Sequence, residues 1–290
     1  MASLGERLAR TATVGFIAWS ISACESPKGP VTTPTRPPVS GPLNPNAQPV
    51  ETSKPPSRSD VFRKELERLG VKASETEKKL WESTYQPQPN LSFDKLTEAQ
   101  AERNLESTLE LMRHSENPYF RTAAEDYDRF KKEGRALITV GTNDQINKEG
   151  GGLTSPRINQ DRIQAHTELS GPDVLRRYTA FLLALLLTHE IEHQRNMLKY
   201  DEEIASRPVN ERLSFQEAKT QDLNNWVEEE ARGNGISMQA FIYSVGLLAI
   251  PIIDDRPSSL VDNAYQFILY GSTVDNTGWR NYVVRTFINK

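Results

Sequence analysis

The chain has 290 residues, 37% hydrophobic and 26% charged, with a net charge of −4, and its mean hydropathy is −0.60. That length suffices for one good-sized core or two small ones, and the charge balance excludes the overall basic excess of a nucleic-acid binder. Zinc-finger spacing, an aromatic RNP-like run and a Walker A loop are all missing, so nucleic acid is not an expected partner.

Residues 1–24 read MASLGERLARTATVGFIAWSISAC, with Arg7 and Arg10 ahead of an apolar run from Ala12 to Ile21. A short basic region followed by a short apolar one is the pattern of a secretory signal, too short for a stable membrane span. The run closes on Ile21-Ser22-Ala23-Cys24, which resembles the lipobox of bacterial lipoproteins. That resemblance implies cleavage before Cys24 and a lipid on its sulfur. Cys24 is the only cysteine in the chain, so no intrachain disulfide can form.

Residues 25–58 contain ten prolines and no aromatic residue. Such a segment cannot bury enough apolar area to offset its ordering entropy, so a disordered tether is expected. Fully extended in polyproline form it would reach about 100 Å. A lipid, a spacer and a folded domain over 59–290 together place the expected site of action at the bacterial cell envelope, facing the periplasm or the exterior.

From Ser59 the composition becomes that of a folded domain, and residues 59–134 read as amphipathic helices. VFRKELERLG closes on Gly70, ASETEKKLWESTYQ follows, and LTEAQAERNLESTLELMRH places Leu96, Leu105, Leu109 and Met112 at helical spacing. A further run, NPYFRTAAEDYDRFKKEG, ends on Gly134. The period then switches: Arg135 to Gly141 is a β-rich run bounded by glycine, and EGGGLTSPRINQDRIQ suggests one or two irregular strands. Gly150 to Gly152 read first as a flexible turn and second as an edge that faces substrate.

A long helix is predicted from Ser170-Gly171-Pro172-Asp173, where Ser170 and Asp173 suit a capping arrangement. It runs on through VLRRYTAFLLALLLTHEIEHQRNML. Residues 180–187 are apolar on every side, which marks a helix buried inside the domain. A second helix is predicted over about 215–243, with Leu223, Val227, Ala231, Met238 and Phe241 on one face and a kink or split at Gly233 and Gly235. Apolar segments around GLLAIPII, VDNAYQFILY and WRNYVVRTFI close the chain. The fold class expected is α+β, mostly helical.

The chemistry lies in LLLTHEIEHQRN, residues 185–196, which carries two of the chain's four histidines. Positions i and i+4 of a helix share a face, so His189 and His193 present two imidazoles to one point, as two zinc–nitrogen bonds of about 2.0–2.1 Å require. Glu190 stands beside the first ligand, where a carboxylate reaches a metal-bound water as general base. Zinc lowers the pKa of such a water to about 7, and the glutamate then carries its proton to the leaving amine.

THEIEH resembles the active-site helix of the zincin metallopeptidases. The resemblance covers roughly residues 135–245 and implies an edge strand for substrate, the HExxH helix, and a downstream helix with the third zinc ligand. Asn196 and Lys199 stand where the metzincin branch has glycine and histidine, so that branch is excluded. The gluzincin branch takes a glutamate from a later helix, and WVEEEARGN is the acidic cluster in a suitable apolar setting. The E-x-x-A pattern of that branch maps onto Glu228, with Ala231 as the small residue between helices. A helical wheel instead favours Glu230, which remains the alternative. Relatives with that pattern carry Asp or Asn after the alanine, where this chain has Arg232.

Tyr243, Tyr265 and Tyr270 are weak candidates for stabilising an oxyanion, and Asp222 for orienting an imidazole. Glu192, His114 and His166 read as ordinary residues, Glu192 as a solvated charge. The function expected is a lipid-anchored, zinc-dependent metallopeptidase acting on peptide or protein substrates. Two alternatives stay open: a non-catalytic zinc-binding lipoprotein scaffold, and an amidase or endopeptidase directed at peptidoglycan.

Overall fold

A computed structural model describes residues 56–82, 94–141, 151–159, 162–176, 179–206, 223–254 and 258–288. The signal segment, Cys24 and nearly all of the proline-rich segment lie outside these residues. The domain starts slightly earlier than its composition suggests. Ser57 caps the first helix, α1 (Arg58–Leu69), by accepting from the Asp60 N–H. Arg58 pairs with Asp262 at 2.6 Å, and the Tyr265 hydroxyl donates to the Pro56 carbonyl at 3.2 Å. Residues 56–58 therefore belong to the folded unit, because their polar groups are satisfied by its C-terminal part.

The helical N-terminal region continues with α2 (Glu75–Glu82), α3 (Lys95–His114) and α4 (Pro118–Lys132). Local chemistry explains their starts. Asp94 and Thr97 form a reciprocal capping box at α3, while Asn117 caps α4 ahead of a proline whose missing N–H costs nothing there. Asn117 also ties α4 inward, donating to the Ala240 carbonyl and to Ser244 Oγ, both at 2.8 Å.

Three strands follow: β1 (Ala136–Gly141), β2 (Gly152–Asn159) and β3 (Arg162–Ser170). Their order is β1-β3-β2, with β1 parallel and β2 antiparallel to β3. The irregular segment of the sequence is thus two regular strands. Among the described residues β2 is an edge, which is where its Pro156 is tolerated.

The predicted long helix is divided. A short helix, α5 (Gly171–Arg176), leaves β3, and a separate α6 (Ala180–Ala205) begins after Thr179. The Thr179 hydroxyl accepts from the Leu182 N–H at 3.3 Å, a threonine cap that restarts the helix. Every residue from 180 to 187 is buried, at most 4% exposed, as an all-apolar helix segment requires. The helix packs against the sheet on one side and against α7 (Leu223–Leu247) on another.

Gly233 and Gly235 do not split α7, which runs through both. They clear space instead. A Cβ on Gly235 would meet Val274 Cγ1 at 2.4 Å, and one on Gly233 would meet the His189 ring at 2.9 Å. Helices α8 (Ser259–Leu269) and α9 (Thr277–Val283), then a π-turn at Val284–Ile288, complete the chain. The indole N–H of Trp279 donates to the Ala231 carbonyl at 2.9 Å, locking α9 beneath α7. One hydrophobic cluster runs from Phe62 to Val283 through all these layers. No described helix is long and apolar enough to cross a membrane.

Candidate metal centre

The two stripes of α6 that follow the apolar segment face different partners. His189 and His193, one turn apart, face α7; Glu190 and Gln194, offset by one residue, face β2 and β3. The step of about 100° per residue in a helix produces this division.

On the α7 side the two imidazoles converge, with their Nε2 atoms 2.9 Å apart and ring planes at 79°. Glu230 completes the group: its Oε2 lies 3.6 Å from His189 Nε2 and its Oε1 3.6 Å from His193 Nε2. One ligand atom from each residue fits within 4.8 Å of the others. Ligands on a tetrahedral zinc stand about 3.3–3.4 Å apart for bonds of about 2.0–2.1 Å, so these separations bracket the edges of such a site. His189 is 4% exposed and Glu230 is 5% exposed. A buried His189, His193 and Glu230 group could hold a metal ion.

The electrostatics favour a cation at this point. Burial, with His193 adding to it, pushes the His189 pKa down to about 3, although Glu230 and the Gly233 backbone act in the opposite sense. Burial also works against a charge on His193, but Glu230 and then Glu190 outweigh it and raise that group to about 9. Positive charge is therefore concentrated on one of the two rings, held there by buried carboxylates.

Glu190 is 4% exposed. Burial raises its pKa, while His193 and the Thr154 hydroxyl hold it down. Thr154 Oγ1 donates to Glu190 Oε2 at 2.7 Å. A Cβ on Gly152 would stand 2.9 Å from both Cδ and Oε1 of Glu190. Gly152 is thus a close approach between the first residue of β2 and the carboxylate, not merely a flexible turn. A base beside the donor trio, on a wall formed by an edge strand, is an arrangement suited to removing a proton from a water or substrate held at the metal.

Glu228, the third ligand that the E-x-x-A pattern favours, is not part of the group. It forms an ion pair with Arg280 at 2.9 Å, its side chain 40% exposed. The reason is helical phase. In a regular α7, Glu230 falls beside the buried Ala231 and Gly233, whereas Glu228 lies about 160° away around the axis, given about 100° per residue. The expected irregularity near Gly233 that could have rotated Glu228 inward does not occur. Glu192 also departs from expectation: it is only 6% exposed and pairs with Arg195, which in turn holds Asp126.

The remaining candidates stand apart from the trio. Tyr243 packs edge-on to Tyr119, Tyr270 lies against Tyr282, and Tyr265 bonds to Pro56. Asp222 lies outside the described residues. His114 meets Glu110 on the surface, and His166 is buried with its Nε2 2.9 Å from Thr139 Oγ1. Sequence reasoning missed Thr154, Thr167 and Gly233. Only Gly233, three residues after Glu230 on the same helix, carried a local signal. Comparison of the chain with known protein families, with curated proteins and with solved structures finds no significant match.

Proposed function

We propose that the protein is a zinc-dependent metallopeptidase of the HExxH, gluzincin type, with His189, His193 and Glu230 as zinc ligands and Glu190 as general base. The observation that carries this reading is the buried convergence of those three donors with the Glu190 carboxylate held on the adjacent face of the same helix. Two imidazoles and one carboxylate are the donor set of a catalytic zinc site, which keeps a further position open. Zinc bound there would act as a Lewis acid on a scissile carbonyl and lower the pKa of a coordinated water to about 7. Glu190 takes the proton of the attacking water and passes it to the leaving amine, and its raised pKa suits both halves of that task. Among the described residues β2 is an edge of the sheet, the kind of place where an extended peptide adds as a further strand. The lipobox-like Cys24 and the proline-rich segment place this activity, in the same proposal, on a lipid anchor in the bacterial envelope.

The test is elemental analysis of the purified chain alongside His193→Ala. About one zinc per chain, lost in the variant, is expected. Glu190→Gln should keep its zinc and lose at least about a hundredfold in peptide-cleavage rate. A chain that takes up no zinc after refilling would overturn the proposal.

A further inference from the structure

Behind Glu190 runs a line of buried polar groups that the metal chemistry does not use. Thr154 of β2 and Thr167 of β3 are directly paired across the strands, with their Oγ1 atoms 2.7 Å apart. Thr167 Oγ1 also lies 2.8 Å from Gln194 Nε2, and Thr154 Oγ1 reaches Glu190 Oε2 at 2.7 Å. Thr167 and Gln194 are fully buried, and Thr154 is 9% exposed. Four polar side chains therefore form one continuous line of direct contacts across the interface between α6 and the sheet.

The donors along this line have one direction. Gln194 Nε2 also faces the Leu137 carbonyl at 3.4 Å, and a carbonyl only accepts, so the amide nitrogen is on this side. Gln194 donates to Thr167, and Thr167 spends its single proton on Thr154. Thr154 has one proton as well, and it goes to the Glu190 carboxylate. Each hydroxyl is polarised by the donor behind it, which strengthens the last bond of the chain. That bond holds Oε2, while Oε1 rests against the bare backbone of Gly152.

We propose that Thr154, backed by Thr167 and Gln194, is the positioning residue for Glu190, holding Oε2 and so fixing the orientation of the carboxylate. Its catalytic part rests on the metallopeptidase reading above; its structural part does not. The spacing links both ends to one helix. Glu190 and Gln194 are i and i+4 on α6, and the threonine pair closes the loop between them through the sheet.

The experiment uses the full chain, with Thr154→Val, Thr154→Ser and Thr167→Val, each also in a Glu190→Ala background. Zinc per chain should be unchanged in the variants that keep Glu190. With a peptide substrate, Thr154→Val should lower kcat by about tenfold to a hundredfold with KM within about twofold, since positioning acts after binding. Thr154→Ser should restore most of the rate, and Thr167→Val should fall between. A Thr154→Val kcat equal to wild type would overturn the proposal.

A second readout needs no activity. In metal-free protein, Thr154→Val should lower the melting midpoint by on the order of 5 °C when Glu190 is present. In the Glu190→Ala background the loss should be clearly smaller, because the Thr167 hydroxyl still loses its acceptor but no buried carboxylate is left without its donor. Equal shifts in the two backgrounds would overturn the relay. If Thr154→Val fails to fold alone, recovery in the Glu190→Ala background supports it and continued failure overturns it. A zinc-loaded wild type without peptidase activity would sink the proposed function while leaving this thermal test decisive.

Discussion

Three consecutive glutamates, Glu228 to Glu230, have three different surroundings, set by their angle around one helix. Glu230 is buried between two imidazoles, Glu228 pairs with Arg280 at the surface, and Glu229 lies half-buried between them. Their mutational effects should diverge accordingly. Glu230→Gln is expected to weaken zinc binding by at least about a hundredfold, since it removes a charged ligand. Glu228→Gln should leave zinc affinity within about twofold, because it breaks only an exposed ion pair of little worth. Competition with a chromophoric chelator measures both. The opposite order of effects would return the third ligand to Glu228.

At the scale of elements, the site depends on how closely α6 and α7 approach. Gly233 makes that approach possible at the His189 ring, and Ser237 Oγ bonds to the Leu185 carbonyl at 2.9 Å one turn further on. Gly233→Ala gains helix propensity of up to about 1 kcal/mol, but its methyl group would need the His189 ring to move. We expect the zinc-loaded protein to lose at least about tenfold in metal affinity while the metal-free protein melts no lower than wild type. A variant that binds zinc normally would show that the helices part freely here.

The same cluster sets a pH dependence. His193, raised to about 9, carries a proton in the metal-free domain at pH 7 and must release it to become a ligand. Apparent zinc affinity should therefore rise by about tenfold per pH unit below about 9 and flatten above it. Calorimetry in buffers of different ionisation enthalpy should detect close to one proton released per zinc at pH 7.

For the whole molecule, the candidate metal centre bridges α6 and α7, both of which contribute to a single hydrophobic cluster. Zinc at about 100 times its dissociation constant would stabilise the fold by about 2.7 kcal/mol. At about 2–4 °C per kcal/mol for a domain of this size, chelation should lower the melting midpoint by on the order of 5–10 °C. In a scan with and without chelator, His193→Ala should show no such difference. Outside the described residues, the proposed anchor has its own check. Cys24→Ser should abolish incorporation of labelled lipid and release the chain from the membrane fraction, and a variant that stays labelled would refute it.

Much of this protein is readable in local sequence because local physics determines it. Residues 180–187 have no polar side and must be buried; a repeat of four in His189 and His193 must share a face. The period change at Arg135 marks a strand, and the convergence of His189 and His193 with Glu190 on the next stripe follows from spacing alone. What spacing could not decide were the relations between elements. Whether α7 stayed regular through Gly233, and so whether Glu230 or Glu228 faced the imidazoles, depended on packing against α6. The burial of Glu192 depended on a neighbour far along the chain, Asp126, which holds its partner Arg195. Thr154, which reaches Glu190, meets Thr167, which reaches Gln194, only because β2 and β3 pair in one register. A side chain's direction follows from its own helix or strand, but the group it meets there follows from how those elements pack, and only the tertiary structure contains that.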